Sequence, residues 1–321
     1  MVIGVIILAL TARILGPDGR GQVAAITTWV SLFSNFAYLS LGQVALHRMA
    51  NDPTHKYFGY LLGSLLLMTG FLTMVAWLIA WVMYWHNSQG TFKGLPIAAL
   101  VIGFAALPFM IWEQYGSSLL MGLERIRTYN RYQMVGRTLS VVGVVVLVGW
   151  LGQGVAGVMQ ASLFGQVVVA LGGLGFLLKF SQTKNSLCRP NRTEIYALLK
   201  GGAKLHLNAV GSFLFTSGGI LIVNHYHGSE QTAYYQMAIQ LLGILMIIPA
   251  AASMVIFGKV ASLGPCGAWS ENKRLLFQIT LGMIFLSAVA AILAPWAITL
   301  IAGERFLPVV SLFQWMLIGV I

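Results

Sequence analysis

The chain has 321 residues, of which 58% are hydrophobic and only 8% charged, with a mean hydropathy of +0.82. Eight acidic residues cannot solvate a water-soluble protein of this length, whose surface ordinarily needs about a quarter of its residues charged. That excludes a soluble enzyme, and the net charge of +11 reflects placement about a membrane and does not mark a nucleic-acid surface.

Apolar stretches of about 20 residues recur from end to end, the length set by a hydrocarbon core roughly 30 Å thick. Their backbone groups must be satisfied within the segment, so the spans are helical. The alternating pattern of β-barrel strands is absent. The fold class expected is therefore an all-α polytopic membrane protein. Ten spans are read near 1–15, 22–45, 57–84, 95–120, 134–151, 155–179, 204–226, 234–258, 275–299 and 308–321.

Span one opens at Met1 without a basic leader, unlike a cleaved signal peptide, and its run to Ala12 is too short to cross alone. The last span stops inside Leu312–Ile321. The start of one span and everything after the tenth are expected to lie beyond this chain. Gly16-Pro17-Asp18-Gly19 ends span one and turns the chain. In span two, Ser31, Ser34, Asn35 and Tyr38 share one helix face. Span four carries Glu113, an acid well inside a span, with Gln114 beside it and Ser117 and Ser118 one turn on. An ionised side chain there costs several kcal/mol unless it faces a cavity or a partner. Glu113 is either a coupling or substrate contact, or a hydrogen-bonded carboxyl that fixes packing. Span seven presents Asn208, Ser212 and Thr216 at i+4 steps. Together the three stripes suggest a wet passage lined by Asn35, Glu113 and Asn208, although each alone is compatible with interhelical hydrogen bonding.

The loops alternate in charge. The loops after odd-numbered spans hold only Arg13, Arg20, Lys93 and Arg305, whereas the other fifteen of the nineteen Lys and Arg residues follow even-numbered spans. By the positive-inside rule those loops are cytoplasmic, as is the N-terminus. Cys188 and Cys266 then lie in cytoplasmic loops as reduced thiols. The longest connector, 181–203, with a short surface helix at 193–200, separates an N-terminal six-helix lobe (1–180) from a C-terminal lobe (204–321) that is expected to be incomplete. Gly16–Gln22 and Gly228–Tyr234 occupy equivalent places in the two lobes, a faint sign of parallel repeats.

Several motifs are set aside. Gly152-Gln153-Gly154-Val155-Ala156-Gly157 has the glycine spacing of a dinucleotide fingerprint, but no acid follows at the required distance and no soluble βαβ unit surrounds it. Gly157, Ala161 and Gly165 form a small-residue packing ridge, as do Gly59 and Gly63. His225 and His227 lack further ligands for a metal and read as an interfacial polar pair. Asn191-Arg192-Thr193 matches a glycosylation sequon on the wrong side of the membrane. There is no catalytic constellation and no cofactor motif.

Ala12-Arg13-Ile14-Leu15-Gly16-Pro17-Asp18-Gly19-Arg20-Gly21 closely resembles the "A-R-x-L-G-P-x-x-x-G" signature of bacterial oligosaccharide flippases, the polysaccharide-biosynthesis branch of the MATE-like transporter superfamily. Gly122-Leu123-Glu124-Arg125 through Tyr129-Asn130 is similar to the family's basic loop after span four. Thr232-Ala233-Tyr234-Tyr235 through Ala238 is similar to its "G-x-Y-x-x-A" opening of span eight, and Gly303-Glu304-Arg305-Phe306 to its G-x-x-F turn. The resemblance implies twelve to fourteen spans in two lobes around a central cavity. It implies transport of lipid-linked oligosaccharide, usually on undecaprenyl pyrophosphate, across the bacterial inner membrane by alternating access, with H+ or Na+ as a possible coupling ion. The substrate site would draw on Arg13, Asn35, Glu113, Gln114, Lys204 and Asn208. Arg13 on the outer side, and Arg48, Arg131 and Lys204 on the inner side, are the cations placed to meet a pyrophosphate. Two departures stand out: Gly218-Gly219 occupies the part of span seven where the family often has an acid, and the terminal spans are missing. The alternatives are a multidrug or cation antiporter of the same superfamily, for which more intramembrane acids are expected, and a membrane-embedded glycan polymerase or acyltransferase, for which no long outer loop bearing Arg and no H-x-x-x-x-D-type pair is visible.

Overall fold

A computed structural model describes residues 2–51, 57–183 and 188–320. Lys56 and Lys184, counted with the inner cations, lie outside them. The regular elements among the described residues are all helical. In chain order they are α1 (Val2–Ala37), α2 (Leu41–Ala50), α3 (Phe58–Thr91), α4 (Ile97–Ala105) and α5 (Leu107–Gly122). There follow α6 (Ile126–Val144, prolonged by a π-helical turn, Val145–Trp150), α7 (Gly154–Thr183), α8 (Arg192–Leu245), α9 (Ile247–Ala302) and α10 (Val309–Leu317).

Glycine cuts the longest helices. A straight 54-residue α8 would run about 80 Å, far beyond a hydrocarbon core of roughly 30 Å. It is broken at Gly228 (φ 81°, ψ −176°), as α1 is at Gly16 (φ 68°, ψ −175°) and α9 at Gly264 (φ 73°, ψ 166°). These left-handed conformations carry a Cβ penalty that glycine escapes. By length and composition six helices among the described residues can cross a membrane, or seven when the α1–α2 pair, bent by 49°, is taken as one span. Cutting at the glycines explains the difference from ten. It yields 2–15, 17–50, 58–91, 97–122, 126–150, 154–183, 192–227, 229–263, 265–302 and 309–320. The first piece joins the second in the bent pair, the last is too short to count, and the piece after Gly228 is interrupted again at Met246, so that its apolar part, Ile247–Val260, is too short as well.

Two local features differ from the sequence reading. α6 starts at Ile126, so Arg127 and Arg131 ride on a helix and not in a loop. The expected surface helix at 193–200 is simply the first turns of α8. Gly201 and Gly202 do not end it, because they serve close approach. A Cβ on Gly202 would lie 2.4 Å from the Leu39 carbonyl oxygen, and one on Gly201 2.9 Å from Val44 Cγ1.

By contact the chain forms two compact units, Gln22–Ser229 and Met1–Gly21 with Glu230–Ile321. This is a division by packing, distinct in kind from the lobes expected on either side of 181–203. The core of the Gln22–Ser229 unit gathers Tyr38, Leu41, Leu62, Leu65, Ile111, Tyr115, Leu119, Leu177 and Leu198. Within it α6 and α7 approach through small residues. A Cβ on Gly136 would meet the Gly165 carbonyl oxygen at 2.6 Å, and one on Gly143 the Ala161 Cβ at 2.9 Å, so the ridge is a packing device. Gly63 likewise admits the Arg189 backbone, and Ser64 Oγ accepts a hydrogen bond from the Asn191 amide at 3.0 Å. Gly152 (φ 62°) and Gly154 (φ 58°) form the turn into α7, consistent with rejection of the fingerprint.

In the other unit, three of the motif segments share one core. Ala12, Ala233, Tyr234, Ala238 and Phe306 are all buried together with Leu8, Ile298 and Phe313. The Tyr234 hydroxyl donates to Glu230 Oε1 at 2.7 Å and lies 3.3 Å from the Arg305 carbonyl oxygen, and its ring meets Phe306 edge-on.

Candidate functional site

Within the Gln22–Ser229 unit, spans two, four and seven meet at the bend Tyr38–Ser40. Leu39 and Ser40 have φ of 48° and 53°, a left-handed pair that costs roughly 1–2 kcal/mol per residue when it is not glycine. The bend is braced from two sides. The buried Tyr115 hydroxyl on α5 donates to the Tyr38 carbonyl at 2.8 Å. On the other side, Gly202 closes on Leu39, Ser40 Oγ lies 3.4 Å from His206 Nδ1, and the Tyr38 and His206 rings meet edge-on. Gly42 packs on the Gln114 carbonyl and Ser118. Spans two, four and seven, singled out for their stripes, are thus neighbours at one hinge.

The individual candidates are disposed as follows. Asn35 is half-buried and donates to its own helix at Ser31 O, 2.8 Å away. Gln114 is exposed, and its carbonyl accepts from Ser117 and Ser118 at 2.9 Å each. Lys204 and Asn208 are exposed on α8, and further along it Thr216 donates to Ser212 O at 2.9 Å. Arg13, in the other unit, directs its guanidinium to the Leu300 and Ile301 carbonyls, in the last turn of α9. It satisfies carbonyls that the helix end leaves unpaired. Arg48 pairs with the largely buried Glu194 at 2.9 Å, joining α2 to α8. Arg131 is exposed.

Glu113 has the most elaborate surroundings. Its carboxylate accepts a hydrogen bond from Gln133 Nε2 on α6. The same amide donates to the Tyr129 hydroxyl at 2.7 Å, and its Oε1 accepts from Arg137 Nε at 3.2 Å. A guanidinium only donates and a carboxylate only accepts, so one orientation of the Gln133 amide satisfies both neighbours. The sequence reading did not connect Tyr129, Gln133 and Arg137 with Glu113, because they are joined to it only by the pairing of α5 with α6.

A cavity of about 230 Å³ with a mixed wall lies among α1, α4, α5 and α7, lined by the polar Thr27, Ser31, Ser162 and Gln166 and by apolar residues such as Met110 and Met159. Gln166 Oε1 is buried there with no hydrogen-bond partner among the described residues. Asn35, Glu113 and Asn208 are not among its lining residues. Two larger grooves are apolar. One of 530 Å³ between α3 and α4 is walled by Trp77, Trp81, Trp85 and Phe104, and one of 390 Å³ lies between α1 and α3. His225 Nδ1 lies 3.0 Å from the Gly90 carbonyl, and no cluster of three potential metal ligands occurs among the described residues. Cys188 is a free, exposed thiol, its pKa raised by partial desolvation.

Comparison with known proteins agrees with this architecture. Residues 1–258 match the family described as polysaccharide biosynthesis protein. No curated protein matches the chain. Among solved structures, an inward-facing multidrug resistance MATE family transporter of the MOP superfamily superposes with a TM-score of 0.70 at 16% identity, over 97% of this chain and 76% of its own. At that identity the likeness is one of fold. Glycine-broken helices, degenerate motifs that share one core and the match over 1–258 lead to one conclusion: the chain belongs to the polysaccharide biosynthesis protein family and has the MATE-like multi-pass transporter fold.

Proposed function

We propose that this protein carries lipid-linked oligosaccharide across the bacterial cytoplasmic membrane for cell-surface polysaccharide biosynthesis, by alternating access, with its N-terminus inside. The observation that carries this reading is the family match over 1–258 on a transporter fold. The physical need is clear. A sugar chain entering hydrocarbon loses hydrogen bonds to water at several kcal/mol per unsatisfied group, so a carrier must offer a polar path for the headgroup while the lipid tail stays in the bilayer.

In this reading the lobes 1–180 and 204–321, linked by 181–203, rock about the path, and Asn35, Glu113, Gln114 and Asn208 supply polar contacts. The exposed cations Lys204 and Arg131 meet an undecaprenyl pyrophosphate at the inner side. Arg13 acts at the outer side from its seat on the end of α9. Glu113 is the group offered to a coupling H+ or Na+.

The test is reconstitution of the full chain in proteoliposomes with a fluorescent undecaprenyl-pyrophosphate-linked oligosaccharide. Protection of the inner-leaflet pool is lost as molecules move, and inactivation in cells leaves the lipid-linked glycan on the cytoplasmic face. Export of a lipophilic cation without glycan movement would favour the antiporter reading instead.

A further inference from the structure

The proposed carrier path gives no role to the 530 Å³ groove between α3 and α4. The groove is tied at both ends. Pro108 has no N–H, so the Phe104 carbonyl four residues earlier lacks its helical donor, and the Trp77 indole supplies one at 2.9 Å. At the other end the helices are joined by a turn in which the Leu95 amide donates to the Phe92 carbonyl at 3.2 Å. Gly94 stands third in that turn with φ 74°, the positive value that a type II turn requires. Between these ties α3 and α4 hardly touch.

Aromatic rings hold the walls. Trp77, Trp81 and Trp85 recur every fourth residue and share one face of α3, a ladder about 12 Å long. The Trp81 and Trp85 rings stand 6.0 Å apart. Phe92, only 4% exposed, anchors the turn. Its ring meets Trp29 at 5.2 Å, Tyr84 at 6.1 Å and Phe104 at 6.3 Å, spacings at which aromatic pairs attract. The recess is therefore built by the protein's own packing.

Its charge is equally distinctive. From Tyr57 to Trp112 the chain has no Asp, Glu or Arg and a single Lys, Lys93. Lys93 is exposed at the second position of the turn, directly after the buried Phe92. A lone cation thus accompanies an uncharged, apolar recess. In a bilayer the hydrophobic effect gives such a recess no advantage, because acyl chains are as apolar as its walls. The cation makes the difference, since it complements a negative headgroup. A lysine stem lets its ammonium lie at headgroup level, the depth that tryptophan also favours.

We infer that the α3–α4 groove binds one anionic phospholipid, with an acyl chain along the tryptophan ladder and the phosphate at Lys93. On the proposed topology this lipid belongs to the outer leaflet. One lysine matches the single negative charge of a phosphodiester and would leave a pyrophosphate largely uncompensated, so the occupant is a lipid of the bilayer and not the cargo. The site rests on the groove and its charge and stands whether or not the flippase reading does.

The full chain, purified in mild detergent, is titrated with phosphatidylglycerol, phosphatidylcholine of the same acyl chains, and undecaprenyl phosphate, with bound lipid counted by native mass spectrometry. One phosphatidylglycerol is expected to bind in preference to phosphatidylcholine. Lys93→Gln should weaken it about fivefold, the order expected of one lysine at a membrane surface, and leave phosphatidylcholine unchanged. Lys93→Arg should retain the preference, and added salt should erode it. Lys273→Gln, which removes an equal charge from another exposed site, should have no effect. Trp81→Ala should weaken both phospholipids, because it breaks the ladder.

Equal binding of the two phospholipids by the parent chain overturns the site, as does an unaltered preference in monodisperse Lys93→Gln, a change in an exposed turn. Stronger binding of undecaprenyl phosphate that is lost in Lys93→Gln would assign the groove to the carrier lipid and overturn the phospholipid. A dimer that dissociates in Trp81→Ala would assign this face to a second copy, with the same consequence.

Discussion

Gly202→Ala tests how the hinge of span two is held. The added methyl would stand 2.4 Å from the Leu39 carbonyl oxygen and 2.8 Å from Leu41 Cδ2. The first neighbour is backbone and cannot swing away, so α8 and the bend must part by about 1 Å to restore ordinary van der Waals contact, at an overpacking cost of roughly 1–3 kcal/mol. Against this, alanine in a helix is favoured over glycine by about 1 kcal/mol.

Gly211→Ala, on the same helix with nothing within 4 Å of its Cβ, gains the propensity without the clash. The two single-methyl variants should differ by about 1–3 kcal/mol, with Gly211→Ala at or above the parent and Gly202→Ala below its sibling by several degrees. Thermal unfolding of the purified full chain, followed by the intrinsic fluorescence of its nine tryptophans, measures this. Glycan translocation by Gly202→Ala, assayed in parallel, should fall because the left-handed pair Leu39–Ser40 loses a brace. Superimposable melting curves for the two variants would refute the close approach and the hinge built on it.

Three further substitutions probe other contacts. Tyr115→Phe leaves the Tyr38 carbonyl without its 2.8 Å donor in a buried site, and should lower stability by about 1–2 kcal/mol, read as a fall in melting temperature with helix content unchanged. Arg13→Gln removes the guanidinium from the Leu300 and Ile301 carbonyls and should cost about 1 kcal/mol. A loss of transport with no loss of melting temperature would instead mark Arg13 as a substrate contact. Arg48→Met strands Glu194, only 8% exposed, and should cost about 1–3 kcal/mol. The double variant Arg48→Met/Glu194→Met should recover most of it, because removing both partners leaves no uncompensated buried charge. A thermal-stability cycle with additive losses would show that the pair contributes nothing.

Much of the architecture was legible in the residues themselves. A membrane core selects segment length and hydropathy directly, so the crossings could be read locally, and Gly16 and Gly228 stood out at the breaks because positive φ is a property of one residue, whereas Gly264 was one glycine among many until the structure showed its φ. Glu113 was legible for the same reason: a lone acid among apolar neighbours is conspicuous in any one-dimensional reading. Its partners were not. Tyr129, Gln133 and Arg137 are ordinary residues for the start of a helix after a basic loop, and their meeting with Glu113 depends on the rotation of α6 against α5. That rotation is set by glycine contacts with α7 such as Gly136 on Gly165.

The same limit explains Gly201 and Gly202, which resemble a helix stop in the sequence and prove to be a contact surface, and Arg13, a cation near the end of the first span that proves to be tied to the end of α9. The amino-acid order alone determined that the chain crosses a bilayer repeatedly, where it turns and which loops concentrate positive charge, since each follows from local solvation and backbone conformation. Tertiary structure alone decided which polar groups meet, because that depends on helix register and facing, quantities fixed by packing between segments far apart in the chain.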